Sequence, residues 1–169
     1  FLKKKFRKLN YKQLEKINLH SQKISEYSAV LAKKNEIRKI LKKFQIKFST
    51  KNKSCCIEGR DISTKILPNS DIKFYFKCNL TIAAKRRYKE LKKLDAKIEL
   101  KNVKKALRIR NILDTSRKHS PLLKHRNSVE IDTGKLNKQA MLKKMSKYVE
   151  KVLLEKYGNW RNKKYKPYS

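Results

Sequence analysis

The sequence predicts a parallel α/β fold, and three observations carry that expectation. Short runs of strand-like composition occur at Ser54–Glu58, Asp71–Lys77 and Ser128–Asp132. Longer stretches with apolar residues at helical spacing separate and follow them, in the order strand, helix, helix, strand, helix. Strands joined by helical segments of that length pair in parallel, because a parallel connection needs a dozen or more residues. With 169 residues, 38% of them hydrophobic, the chain is one domain, or one core with a small appendage.

Residues 1–20 are basic and only weakly helical in pattern, whereas Ser21–Phe48 reads as helix on the stripe Ile37, Ile40, Leu41 and Phe44. A polar link, Ser49–Lys53, leads to the short apolar run Ser54–Glu58, expected to be a buried strand with Gly59-Arg60-Asp61 at its carboxyl end. Ligands of open α/β sheets bind at that end of the strands. Pro68-Asn69 marks a turn. In Asp71–Lys77, Ile72, Phe74 and Phe76 alternate with Lys73, Tyr75 and Lys77, which predicts a second strand. Helices are expected over Thr81–Leu94 and from about Glu99 to Leu113, then a third strand at Ser128–Asp132. The closing helix, Leu136–Leu154, carries the stripe Leu136, Ala140, Met145, Val149 and Val152. The tail from Gly158 is basic and aromatic, and its composition predicts disorder. There are no internal repeats.

Lys and Arg number 48 against 14 Asp and Glu, a formal charge of +34, and Lys outnumbers Arg by 38 to 10. Such an excess fits a polyanion-binding surface. It fits equally the compositional drift of an AT-rich genome, since Lys, Ile and Asn are all abundant and the lysines run along the whole chain. Cys55, Cys56 and Cys78 lack metal-ligand spacing and form an odd set, so buried structural thiols in a reducing compartment are expected. His20, His119 and His125 are likewise not spaced as metal ligands, and no metal site is expected. No apolar run approaches the length of a membrane span, and no signal-peptide core is present, which points to the cytoplasm.

The charged residues of greatest interest are Arg60-Asp61 and the series Arg110, Asp114, Arg117. Taken as helical, the series places its members at i, i+4 and i+7, on the face that carries Val103, Ala106 and Leu107. That face points inward, and inward charges are costly unless paired or liganded. A cleft that grips a small anionic, hydroxyl-bearing ligand is therefore expected. Plainer readings stand beside this one. Arg60-Asp61 also suits a turn with a salt bridge, Arg110 and Asp114 an ordinary helix pair, and Arg38, Arg86 and Arg87 solvated faces.

From about Glu26 to Leu153 the chain resembles bacterial cytidylate kinase, a nucleoside-monophosphate kinase of the P-loop class. The resemblance rests on Ile57-Glu58-Gly59-Arg60-Asp61-Ile62, then Leu67-Pro68-Asn69 with the strand Ile72–Phe76. It continues through Ala84-Lys85-Arg86-Arg87-Tyr88-Lys89-Glu90-Leu91, the series Arg110, Asp114, Arg117, Pro121, Leu122, and Ile131-Asp132-Thr133. It implies a three-layer α/β fold with a parallel sheet, here truncated at its N-terminal side, and transfer of the ATP γ-phosphoryl group to CMP or dCMP. Implied partners are ATP with Mg2+ and CMP or dCMP, in a monomeric cytoplasmic enzyme. By the same resemblance Arg38, Arg60, Asp61, Arg110, Asp114 and Arg117 fall on substrate-binding positions, with Arg117, Arg110 and Asp114 also catalytic. Arg38 and Asp61 would read the cytosine edge, Arg60 and Arg117 the phosphate, and Arg110 with Asp114 the sugar and phosphate. Arg86 and Arg87 would serve a lid over residues 87–105. Phosphoryl transfer asks mainly for positioning and charge neutralisation, and arginine's planar fork suits phosphate oxygens.

The implied domains are a basic and helical part over 1–50, the α/β core over 51–156 and the tail over 157–169. Several positions depart from the family pattern. The glycine-rich G-x-x-x-x-G-K-[ST] loop is absent, because the only glycines are Gly59, Gly134 and Gly158. The segment that follows that loop is missing too. Ala29 stands where the family often has a cytosine-contacting Ser, Asn111 where it has an Asp, and Ser63 where it has a Gly. The chain, which opens on Phe1 and not Met, is thus expected to begin partway through a longer enzyme and to be inactive alone. The alternative is a kinase remnant that persists as a basic RNA- or ribosome-associated binding subunit, with Tyr157, Trp160, Tyr165 and Tyr168 available to stack on bases.

Overall fold

A computed structural model describes residues 21–52 and 54–158. The basic segment 1–20, His20 and the aromatic tail beyond Gly158, with Trp160, Tyr165 and Tyr168, lie outside the described residues. The elements are α1 (Gln22–Leu31), α2 (Asn35–Lys51), a π-helical turn (Ile62–Ile66), β1 (Phe74–Lys77), α3 (Leu80–Lys92), α4 (Leu100–Ser116), β2 (Val129–Asp132) and α5 (Lys138–Tyr157). The chain divides into two compact units. One holds the described residues up to Pro68 together with Leu80–Leu123, and the other holds Asn69–Asn79 and the chain from Lys124.

The first unit is helical. Ser21 caps α1 by accepting the Ile24 amide at 3.3 Å. The single helix expected over Ser21–Phe48 is two, because Ala32–Lys34 leave the helical ladder and Lys34 is extended. Glu36 in the first turn of α2 and Lys51 in its last complement the helix dipole, and Asn52 Nδ2 donates to the Phe48 carbonyl. Helices α3 and α4 pack along their lengths, α1 packs on α4, and α2 meets the π-helical turn. Ala84, Leu91 and Val103 are buried in this unit with Ile62 and Ile66 of the turn.

The expected strand at Ser54–Glu58 does not form. The segment is irregular and has no ladder partner among the described residues, and an isolated strand leaves its backbone groups unpaired. Cys55 and Cys56 are accordingly exposed, not buried as expected, and Cys78 is half-buried. The chain then tightens at Gly59, where an added Cβ would lie 2.7 Å from Ile62 Cγ1. Ile62 is itself buried and has little room to retreat, so the approach requires glycine. Asp61 stands at the N-terminal end of the π-helical turn, its carbonyl accepting the amides of Lys65 at 2.9 Å and Ile66 at 3.3 Å.

The second unit contains the only sheet among the described residues, two parallel strands where three were expected. Phe74 pairs with Val129, Tyr75 with Glu130, Phe76 with Ile131 and Lys77 with Asp132. The α/β class and the parallel pairing hold. Ile131 is fully buried, and the Phe74 ring meets the edge of Tyr148 from α5 at 6.5 Å. Phe76, expected inside, is half-exposed. Asn137 caps α5 through the Ala140 amide at 2.8 Å, and Gly158 ends the helix with φ 63. Ala140, placed in the apolar stripe by the sequence, is exposed, and the half-buried line runs through Met141, Met145, Val149 and Val152.

Glu130 sits between Lys77 at 2.5 Å and Lys124 at 3.0 Å, and hydrogen bonds from these two ammonium groups hold its carboxyl down to about 2. A depressed carboxyl contributes stability above its unfolded value of 4.5, and that contribution is lost as pH falls from 4.5 toward 2. Glu130→Gln is expected to flatten the acid limb of a Tm-against-pH curve in that window and to leave its neutral region nearly level. In the same unit, Ile131→Val is expected to cost about 0.5–1.5 kcal/mol, read as a lower urea midpoint at unchanged m.

Candidate functional site

Two carboxylates and four guanidinium groups converge in the first unit. Asp61 is delivered by the end of the irregular segment and Asp114 by the last turn of α4, and both are buried. The Arg38 guanidinium, from the first turns of α2, donates to Asp61 Oδ2 and reaches the Ala32 carbonyl at 3.4 Å. It thus ties the broken end of α1 to the Asp61 loop. Arg117 Nη1 donates to Asp114 Oδ1 at 3.0 Å, while Arg117 Nη2 stands 3.9 Å from Asp61 Oδ1. Arg60 and Arg110 present Nε at 3.4 Å and 3.9 Å from Asp114 Oδ2.

Arg117 corrects the expected helical series. Helix α4 ends at Ser116, and Arg117 is extended, with φ −66 and ψ 138. The hydroxyls of Thr115 and Ser116 bond carbonyls one turn back, at 2.9 Å to Asn111 and 2.7 Å to Ile112, and so compete for the last turn of the ladder. The chain then doubles back through Ser120, a non-glycine residue at φ 54. Its carbonyl accepts Arg117 Nε at 2.5 Å, and the Leu122 amide bonds the Asp114 carbonyl at 2.7 Å. Arg117 therefore reaches Asp114 by a loop return and not from a shared helix face. Ser120-Pro121 was the available sequence signal for that return.

Burial and charge in this cluster pull in opposite directions. The side chains of Arg117 and Asp114 are 9% and 7% exposed, against 37% for Arg60 and 38% for Arg110. Burial, then the neighbouring Arg38, lowers the Arg117 pKa below its ordinary value, with Asp114 and Asp61 opposing. Arg110 is lowered first by burial and then by Arg60, with Asp114 opposing. Four cations face two carboxylates, a surplus of two positive charges. Asp114 Oδ2 and Arg117 Nη2 are buried without a hydrogen-bond partner among the described residues, at ion-pair distance only. Such atoms are costly to leave unsatisfied. The cluster has the charge and the open valences to take a phosphate monoester together with a hydroxyl donor.

Beside the cluster lies an apolar groove of about 240 Å³ enclosed by α1, α3 and α4. Ala29, Val30, Leu91, Val103 and Leu113 form its walls, with Glu26, Arg87 and Arg110 at polar positions. Arg110 thus belongs to both groove and cluster. Arg87 lines the groove and pairs with Glu90 at 3.0 Å, and Arg86 is exposed on the same helix. Residues 87–105 run from the end of α3 through a link anchored by Asp95 into α4. His125 is satisfied locally, its Nδ1 accepting the Asn127 amide at 3.1 Å. Among the described residues no three His, Cys, Asp or Glu side chains gather as a metal site, and no helix is long and apolar enough to cross a membrane.

The sequence model of the family described as Cytidylate kinase matches residues 2–151. A cytidylate kinase of Clostridium tetani is 34% identical over 146 residues, which cover 86% of this chain and 62% of that protein. One from Caldanaerobacter subterraneus is 33% identical over 128 residues, with 76% and 57% covered. One from Bartonella tribocorum is 31% identical over 147 residues, with 87% and 68% covered. The chain thus spans about three fifths of the length of the first two of these relatives.

Removing Asp114 leaves Arg117 buried beside Arg38 and Arg60 with one carboxylate fewer. Asp114→Ala is therefore expected to cost about 3–5 kcal/mol in urea unfolding, the range for breaking a buried pair. Arg60→Ala, at a third-exposed side chain, is expected to cost about 1 kcal/mol or less.

Proposed function

Because the chain belongs to the cytidylate kinase family, we propose that its helical unit holds the acceptor nucleotide while the γ-phosphoryl group of ATP is transferred to CMP or dCMP, giving CDP or dCDP. The observation that carries this reading is the surplus of two positive charges on a half-closed arginine cluster with two unsatisfied buried atoms. A nucleoside monophosphate carries close to two negative charges at neutral pH. Its phosphate would neutralise that surplus where lysines on an open surface would remain hydrated.

The roles follow the geometry. Arg117 Nη2 and the half-exposed forks of Arg60 and Arg110 donate to the phosphate oxygens, replacing long ion pairs with charge-assisted hydrogen bonds. Asp114 Oδ2 accepts from a sugar hydroxyl and keeps Arg117 aimed. Arg38 and Asp61, locked to each other, present a fixed donor and acceptor for the polar edge of cytosine. The apolar groove, with Ala29 in its wall, shares Arg110 with the cluster and gives the bound nucleotide an apolar flank. Arg86 and Arg87 address the donor's phosphates from α3, where the segment over 87–105 begins. ATP is the donor and Mg2+ its companion in this reading, and no described residue is assigned to Mg2+. The chemistry left to the chain is positioning and electrostatics, which suffices for phosphoryl transfer.

Titration calorimetry with CMP, dCMP and UMP tests the acceptor site on the chain itself. Arg117→Ala is expected to weaken CMP binding by about 100-fold, since it removes a buried charge-assisted contact worth about 1.5–3 kcal/mol and frees Asp114 to pair elsewhere. Asp61→Ala is expected to narrow the preference for CMP over UMP more than it weakens CMP. In the whole enzyme, release of ADP from ATP in the presence of CMP is expected to fall by orders of magnitude in Arg117→Ala. CMP affinity unchanged in that variant would remove Arg117 from the site.

A further inference from the structure

A second concavity of the helical unit, about 560 Å³, differs from the apolar groove in every respect. Lys39 and Lys42 of α2, Lys65 of the π-helical turn, and Lys118 and His119 of the loop after α4 line it, with Arg38 and Asp61 at its inner edge. Arg38 and Asp61 are engaged with each other, so the rest of the lining carries four ammonium groups, one imidazole and no second carboxylate. None of Lys39, Lys42, Lys65 or Lys118 has an ion pair among the described residues. The turn at Ser120 that returns Arg117 to Asp114 also places Lys118 and His119 on this rim. A cleft lined by one sign of charge focuses its field and concentrates counter-ions far more than the same charges scattered on a convex face.

We propose that the lysines of this groove bind the phosphate backbone of single-stranded nucleic acid; Arg38 and Asp61, which the acceptor-nucleotide reading assigns to cytosine, are not needed for it and are left unaltered in the test. Three features favour a strand. From Asn35 to Lys42 the groove follows about 10 Å of helix, long enough for its lysines to meet more than one phosphate of a strand. The cations are lysines, which neutralise phosphates as point charges and impose no bidentate geometry. His119 is the one aromatic ring in the lining, too little to read successive bases, so binding is indifferent to sequence. Concavity disfavours a bilayer, which offers a flat surface to projecting cations.

Fluorescence anisotropy of a labelled 20-nucleotide oligothymidylate, titrated with the chain from 50 to 300 mM salt, tests the proposal. The substitution set Lys39→Gln, Lys42→Gln and Lys118→Gln is compared with Lys143→Gln, Lys144→Gln and Lys147→Gln, exposed lysines of α5 that remove the same charge. The groove set is expected to lower affinity about ten-fold or more and to reduce the slope of log K against log salt by about 2, the value for three lost contacts to a single strand. The α5 set is expected to change affinity less than three-fold. Circular dichroism of both sets confirms the fold, and an oligoadenylate is expected to bind as well as the oligothymidylate. Equal losses in the two sets would reduce the effect to net charge and overturn the groove. So would absence of strand binding by the unaltered chain, or binding to phosphatidylserine vesicles that alone depends on the groove lysines.

Discussion

The arrangement of the helical unit depends on two buried carboxylates. Asp61 and Asp114 come from separate elements, one at the end of an irregular segment and one near the end of α4, and Arg117 bridges them. Arg38 links Asp61 to the broken end of α1. A single charged network therefore fixes the relative positions of α1, α2, the π-helical turn, α4 and the loop after it. Hydrophobic burial alone does not specify this, since among the described residues of that unit only Ile62, Ile66, Ala84, Leu91 and Val103 are apolar and buried. A buried network of this kind is poor evidence for stability, because desolvation offsets most of the Coulomb gain. In the proposed reading its cost is recovered when the acceptor phosphate completes it.

The loose half of the network and its tight half divide the work. Arg38 and Arg117 are buried and hold direct hydrogen bonds to carboxylate oxygens. Arg60 and Arg110 are more than a third exposed and meet Asp114 only at 3.4 and 3.9 Å. The first pair therefore holds the carboxylates in place, and in the proposed reading the second pair turns toward the phosphate that Arg117 Nη2, already positioned, also meets. Binding then needs little reorganisation of the tight pair, which is what preorganised electrostatic sites require.

How much of this was legible in the sequence depends on whether each feature was decided locally. Arg60, Asp61, Arg110, Asp114 and Arg117, which the structure brings together, stood out as charges beside apolar positions, whereas Arg38 entered only through the family resemblance. Their route into the cluster was less legible. Arg117 was read as helical because nothing in residues 110–117 forbids helix; the hydroxyls of Thr115 and Ser116 and the turn at Ser120 end it. The break at Ala32–Lys34 carries neither glycine nor proline, the usual local signals for a helix end. Ser54–Glu58 has strand composition, but a strand exists only with a partner, which no local pattern supplies. The exposure of Cys55 and Cys56 follows from that missing partner.

The chain's positive charge, ambiguous as a composition, resolves once position is known. Arginines number 10 of the 48 basic residues, yet arginine supplies every cation of the carboxylate cluster, and lysine nearly every cation of the neighbouring groove. A planar fork can share two oxygens of one phosphate in a fixed orientation, so the cluster suits a single, defined phosphate. A hydrated ammonium on a flexible stem suits any phosphate that passes, and gains mainly by releasing counter-ions. Compositional drift would add lysines without regard to position, as on the exposed face of α5. It does not account for arginine on the buried carboxylates, where the guanidinium geometry and not the charge alone satisfies two oxygen atoms at once.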